Sequence, residues 1–233
     1  MNPREMMARL GPSTVKFDIG RGGGKPDLTN QDIAAALGMV PAGLGRELLE
    51  ACWWPDGAAL RQGALRDAIL SLVMPELARQ ARKLTEVHLD LQLAEAAVSF
   101  AGRSPTTTQR NEVARCRSEL AVARAATWPK NTADHLPAIA RAAIGELSGG
   151  NKCMACGGRQ YSMEEAKVTM CKECRGTGLE PNPDRRRALA IGCDPSDYPR
   201  RWRVVYEWIL VKMSDAMAGA ERQFVVTLSR DAA

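Results

Sequence analysis

Two cysteine pairs, Cys153-Met154-Ala155-Cys156-Gly157-Gly158 and Cys171-Lys172-Glu173-Cys174-Arg175-Gly176-Thr177-Gly178, carry the strongest structural instruction in this chain. Fourteen residues separate the pairs, a spacing that lets four thiolates converge tetrahedrally on one metal ion. The glycines behind each pair supply the positive φ that tight turns around a metal demand. With Cys153, Cys156, Cys171 and Cys174 as ligands, no coordination position stays open for water. One Zn²⁺ is therefore expected to hold structure rather than to activate a nucleophile. A thioredoxin-like redox reading needs a βαβ setting, and no hydrophobic strand is legible ahead of either pair. The zinc deaminase signature fails too, because Ala155 and Met170 stand where it requires glutamate and proline.

Composition bounds the rest. The 233 residues are 45% hydrophobic and 25% charged, as in an average soluble chain of one or two compact units. No run of eighteen apolar residues occurs, and Met1-Asn2-Pro3-Arg4-Glu5 has no apolar leader, so a cytoplasmic protein without a membrane partner is expected. Cys52, Cys116 and Cys193 then read as free, partly buried thiols. His88 and His135 both fall in helical stretches, where packing or solvation is their expected role. The net charge of +5 permits a nucleic-acid partner without requiring one.

Periodicity makes the chain mainly α. Residues 1–27, with Gly20-Arg21-Gly22-Gly23-Gly24-Lys25-Pro26, read as a flexible arm. A phosphate-loop reading there fails, since Ile19 replaces its first glycine and Pro26 its Ser or Thr. Thr29 and Asp32 suggest a capping box for a short helix through Ile33 and Leu37, ended by Gly38. A second short helix crosses Leu44, Leu48 and Leu49, and Trp53-Trp54-Pro55-Asp56-Gly57 forms a turn. A long helix through Leu60, Ile69 and Leu77 is expected to kink at Pro75, with a further helix over Leu84 to Phe100. After a linker at Gly102 to Thr108 come helices over about Gln109–Thr127 and Leu136–Leu147. Any β structure is expected in the zinc module and at Phe224-Val225-Val226-Thr227-Leu228.

Beyond the cysteines, Asp184-Arg185-Arg186-Arg187-Ala188-Leu189-Ala190-Ile191 reads as a basic helix, Gly192-Cys193-Asp194-Pro195 as a turn, and Ser196 as the N-cap of a long helix. This is helix-turn-helix grammar. Tyr198, Trp202, Val205, Tyr206, Ile209 and Met213 share one stripe of the second helix, a packing face. Arg200, Arg201 and Arg203 lie off it, in the first two turns, the part of a recognition helix that reaches base edges. Between Asp184 and Arg203 six arginines face three aspartates, so Arg185, Arg186, Arg187, Arg200, Arg201 and Arg203 are the expected contacts to double-stranded DNA, against a bland alternative of a solvated basic face.

This combination, with the preceding helix Ala138-Ile139-Ala140-Arg141-Ala142-Ala143, resembles the Q transcription antitermination proteins of lambdoid phages. Leu28-Thr29-Asn30-Gln31-Asp32-Ile33-Ala34-Ala35-Ala36-Leu37-Gly38-Met39, leading to Gly43-Leu44-Gly45, looks like the start of that family. The stretch 57–129 shows no motif match. The resemblance implies a non-enzymatic regulator that binds DNA near a promoter and joins paused bacterial RNA polymerase through the β flap and σ region 4. It then modifies the RNA exit channel around the nascent RNA so that terminators are read through. By resemblance the four cysteines carry over as zinc ligands, and Arg200, Arg201 and Arg203 as DNA readers.

The expected organisation is thus a flexible arm (1–27), a helical region with polymerase contacts (28–150), a structural zinc module (151–180) and a helix-turn-helix DNA-binding region (181–233). A conventional zinc-containing activator or repressor would use the same parts. A DnaJ-type chaperone zinc module matches Cys171 to Gly178 but not the glycine spacing of the first pair. A nucleic-acid enzyme would need clustered carboxylates or an open metal site, and the sequence offers neither.

Overall fold

The computed structural model describes residues 3–10, 28–54, 56, 62–102, 104–149, 153–164, 167–176, 178, 180 and 182–231. The architecture is mainly helical. Helices α1 (Pro3–Ala8), α2 (Asn30–Met39), α3 (Leu44–Trp53), α4 (Gln62–Phe100), α5 (Thr107–Ala126) and α6 (Thr132–Gly149) precede an antiparallel hairpin of β1 (Tyr161–Glu164) and β2 (Lys167–Met170). Then follow α7 (Asp184–Ile191), a π-helical turn (Tyr198–Trp202) and α8 (Arg203–Asp231). The chain divides into two compact units, 1–70 with 133–233, and 71–132. Helix α8 gathers the N-terminal helices into its own unit.

That helix is the spine of the larger unit, packed by α1, α2 and α3. Its apolar stripe runs through Tyr206, Ile209, Met213, Met217, Ala220, Phe224 and Leu228, all buried. Phe224 to Leu228 accordingly forms helix and not the strand its β-branched residues suggested. Steps of three and four continue the stripe from Tyr198, and tertiary packing overrides local propensity. At Gly45 the backbones of α3 and α8 touch. A Cβ there would overlap the Ala216 carbonyl oxygen and stand 2.9 Å from its carbon.

The capping box opening α2 is complete: Asp32 N–H donates to Thr29 Oγ1 at 3.2 Å, and Thr29 N–H donates to Asp32 Oδ2 at 2.8 Å. The helix passes through Gly38 and ends at Met39. The arm expected over 1–27 is corrected at its start, since α1 buries Met7 completely and Arg4 Nε donates to Glu221 Oε1 at 2.7 Å. Residues 11–27, with the rejected phosphate loop, lie outside the described residues, as do Pro55 and Gly57 of the turn expected at 53–57, where Trp53 instead ends α3.

The unit 71–132 is a helical hairpin. Val87 and Leu91 of α4 pack on Cys116 and Leu120 of α5. Arg117 Nη2 donates to Glu95 Oε1 at 2.9 Å, Gln109 Nε2 to the Ala97 carbonyl at 3.4 Å and Trp128 N–H to Gln80 Oε1 at 2.9 Å, which together fix an antiparallel register. Where two helices were expected, α4 is one helix of 39 residues that continues through Pro75. The capping box of α5 uses Thr106 and Gln109.

Candidate metal centre

The four cysteine Sγ atoms lie within 4.8 Å of one another and all four residues are buried, an arrangement compatible with one metal ion. Cys153 and Cys171 Sγ are 3.9 Å apart, Cys156 and Cys174 Sγ 3.7 Å. A tetrahedron with metal–sulfur bonds of about 2.3 Å has edges of about 3.8 Å, whereas disulfide sulfurs sit about 2.05 Å apart. The thiols are placed to share an ion, not to pair with each other.

Backbone hydrogen bonds explain this convergence. Cys153 N–H donates to the Gly178 carbonyl and Cys171 N–H to the Gln160 carbonyl, both at 2.9 Å. The first cysteine of each knuckle thus reaches the residue four beyond the second cysteine of the other, a local two-fold relation that follows from the repeated spacing. Gly178 fits only as glycine, because its φ is +72° and a Cβ would stand 2.8 Å from the Gly158 carbonyl oxygen. Gly157, Gly158 and Gly176 also adopt positive φ, as the sequence predicts; Gln160 and Arg175 do so without being glycine. Strand β2 does lead into Cys171, contrary to expectation, but it belongs to an antiparallel hairpin and supplies no βαβ setting for redox chemistry.

Burial opposes ionisation of Cys156. The N–H groups of Gln160 and Gly158, with the Cys174 and Cys153 thiols, outweigh it and hold this thiol down at about 7. Burial pushes Cys174 up to about 12 although the Gly178 N–H donates to its sulfur at 3.3 Å.

Side chains flanking the ligands anchor the module on α8. Arg175, next to Cys174, ion-pairs with Glu207, and Gln160 Nε2 donates to Ser214 Oγ at 3.2 Å. Glu207 also lies 3.5 Å from Arg187 Nη1. Arg187 Nε and Nη2 donate at 2.8 Å to the two carboxylate oxygens of Glu146, while Tyr206 Oη donates to Glu146 Oε1 at 2.8 Å. The guanidinium carbon lies 4.9 Å from the Tyr206 ring centroid. Burial works against the charge of Arg187, and Glu146 more than offsets it, so the guanidinium stays ionised.

This overturns one sequence assignment. Arg187 is 4% exposed and belongs to the core, not to a DNA-facing surface. Arg203 is also engaged, in an ion pair with Asp184 that joins α8 to the start of α7. Arg185, Arg186, Arg200 and Arg201 are exposed. The connection between the helices is a tight one: Gly192 is left-handed at φ 72°, and Cys193 N–H donates to the Ala188 carbonyl at 3.0 Å. Ser196 is not the N-cap. Its N–H and hydroxyl donate to Asp194 Oδ1 at 2.7 and 2.6 Å, which holds that carboxyl below the usual range, and the chain enters α8 through the π-helical turn instead. The packing stripe holds as expected, with Tyr198, Trp202, Val205, Tyr206, Ile209 and Met213 all buried. His135 is a packed residue, its ring 4.4 Å from that of Trp202 and its Nδ1 3.2 Å from the Ile191 carbonyl.

Sequence reasoning missed Glu146, Arg175 and Glu207, whose partners lie 20 to 60 residues away. No protein-family model, curated protein or solved structure matches this chain.

Proposed function

We propose that this protein is a zinc-stabilised transcription antitermination factor, in which Cys153, Cys156, Cys171 and Cys174 hold one Zn²⁺ and Arg185, Arg186, Arg200 and Arg201 hold duplex DNA near a promoter. One observation carries the DNA-binding part: four exposed arginines stand on the two helical segments that flank a single tight turn, 192–197. Both segments are fixed from behind by the buried stripe and by the Arg187–Glu146 pair. A planar fork on a rigid support suits guanine edges and phosphates. Four buried thiolates at tetrahedral spacing with no open position favour Zn²⁺ in a structural role.

The resemblance to Q proteins supplies the remainder. It names bacterial RNA polymerase as partner, through the β flap and σ region 4, with nascent RNA at the exit channel; the apolar helical faces of 28–150 are where we expect the polymerase contacts. The protein makes and breaks no bond in this role. Single-round transcription on a template with the binding site near the promoter and a terminator downstream tests it. An antiterminator raises the full-length fraction without raising initiation. A conventional activator, which the same turn and metal would serve, raises terminated and full-length RNA together. Unchanged read-through on demonstrably occupied DNA refutes antitermination.

A further inference from the structure

Helix α4 carries two stripes of heptad spacing, and α5 covers one of them. Leu84, Val87, Leu91 and Ala94 line the seam with α5. Elsewhere on the same helix Arg82, Glu86, Leu89, Leu93, Ala96 and Phe100 recur at steps of four, three, four, three and four, the period of a helix–helix contact. Leu89 is rotated roughly 200° from Val87 about the helix axis, so this second stripe lies opposite the first. Leu89 is 54% exposed, Leu93 61% and Phe100 92%. Scattered exposed leucines need no explanation, but an apolar line at seam spacing does.

We propose that this outer stripe is the seam of an antiparallel pair formed with a second copy of the chain. The stripe is complementary to itself when reversed. Setting Leu89 of one copy against Leu93 of the other brings, in the same register, Glu86 beside Ala96 and Arg82 over Phe100. Four leucines then meet at the centre, and a guanidinium covers an aromatic ring at each end. The last turn of α4, the negative end of its dipole, comes to lie beside Arg82 and Lys83 of the second copy. A parallel pair has none of this, for it stacks Arg82 on Arg82 and Glu86 on Glu86. One contact in the antiparallel seam is unfavourable: Asp90 flanks the centre and meets Asp90 of the second copy. From Arg82 to Phe100 the seam is about 27 Å long, which makes it a small, reversible interface.

The pairing depends on neither the metal nor DNA. Sedimentation equilibrium on the full chain, from low micromolar to near-millimolar concentration, should show a monomer–dimer equilibrium. Leu89→Glu with Leu93→Glu should weaken it by on the order of tenfold or more. Leu89→Lys with Leu93→Glu in one chain should restore it, because the antiparallel register sets each lysine on a glutamate while a parallel one sets like on like. Asp90→Asn should tighten association. All three positions are exposed, so helical content and metal content should match the parent. A parent that stays monomeric throughout overturns the proposal and leaves the stripe to a different protein. A dimer that survives the double glutamate variant overturns it as well, as does a Lys/Glu variant no more associated than the Glu/Glu one.

Discussion

Arg187 and Glu146, 41 residues apart in sequence, meet in a two-pronged ion pair with both heavy-atom distances at 2.8 Å and side-chain exposures of 4% and 6%. The pair ties the helix before the metal module to the helix after it. Removing one partner strands a buried charge. Arg187→Ala or Glu146→Ala should therefore cost about 3–5 kcal/mol in thermal or denaturant unfolding. Replacing both with methionine or leucine should recover most of the loss. A single alanine variant of parental stability would contradict the buried pair.

The basic surface makes the opposite forecast. Arg185, Arg186, Arg200 and Arg201 are exposed, so alanine at any of them should shift stability by no more than about 0.5 kcal/mol. Each loss should weaken duplex binding, with a salt slope smaller by about one where a phosphate contact is lost. Fluorescence anisotropy across a salt series reads both. Unaltered affinity in the four-fold variant would remove this surface from the proposed function.

One metal ion per chain is the expected stoichiometry by elemental analysis. Cys171→Ser or Cys174→Ser should abolish it and lower the melting temperature, because metal binding and folding of the module are one equilibrium. Thiolates, not thiols, bind the metal. The Cys156 thiol lies below its ordinary value, at about 7, so the stability it contributes is present above the unfolded value of 9.0 and is lost as pH falls through about 7. Chelators should accordingly strip the metal faster at pH 6 than at pH 8.

Alkaline unfolding has its own signature. Burial raises the Tyr206 and Tyr198 phenols well above their ordinary value of 10.0, and raises the Cys52 thiol to about 12. Groups held protonated in the fold contribute stability below their unfolded pKa values, and that stability drains away as pH climbs beyond them. Denaturation midpoints should fall from about pH 10 upward. Tyrosinate absorbance from Tyr198 and Tyr206 should rise only together with loss of helical signal.

Gly45→Ala and Gly145→Ala separate packing from propensity. At Gly45 the new methyl overlaps the Ala216 carbonyl, so the variant should lose about 1–3 kcal/mol or more. At Gly145, inside α6, a Cβ meets nothing within 4 Å, and alanine should gain about 1 kcal/mol. Matched melts of the two variants test the pair.

The cysteine cluster was legible because its information is local: four cysteines at repeated spacing determine their own convergence, and the glycines mark the turns. The stripe from Tyr198 to Met213 was legible for the same reason. Arg187 was not, because its neighbours Arg185 and Arg186 look identical in sequence and its partner lies 41 residues away. A clue did exist, since Arg187 shares a helical face with Ala188 and Ile191, all three buried. The strand reading at Phe224–Leu228 weighed residue type over period, though Phe224 and Leu228 are spaced as a helix would have them. The second unit, 71–132, was hidden because its boundary falls inside one continuous helix, α4, where no local signal marks it.

The packing of α1, α2 and α3 on α8 imposes an order on synthesis. Trp53, the last residue of α3, is made 150 residues before Arg203, the first of α8. At about 5–20 residues per second the ribosome needs roughly 8–30 s to cover that distance. During that interval Ile33, Leu37, Leu48 and Leu49 have no spine to cover them. The metal ligands also emerge before α8 does. The nascent chain thus carries open apolar faces through most of its translation and the four thiols through its last third, and its yield in cells should depend on chaperone capacity and on the metal supply at that late moment.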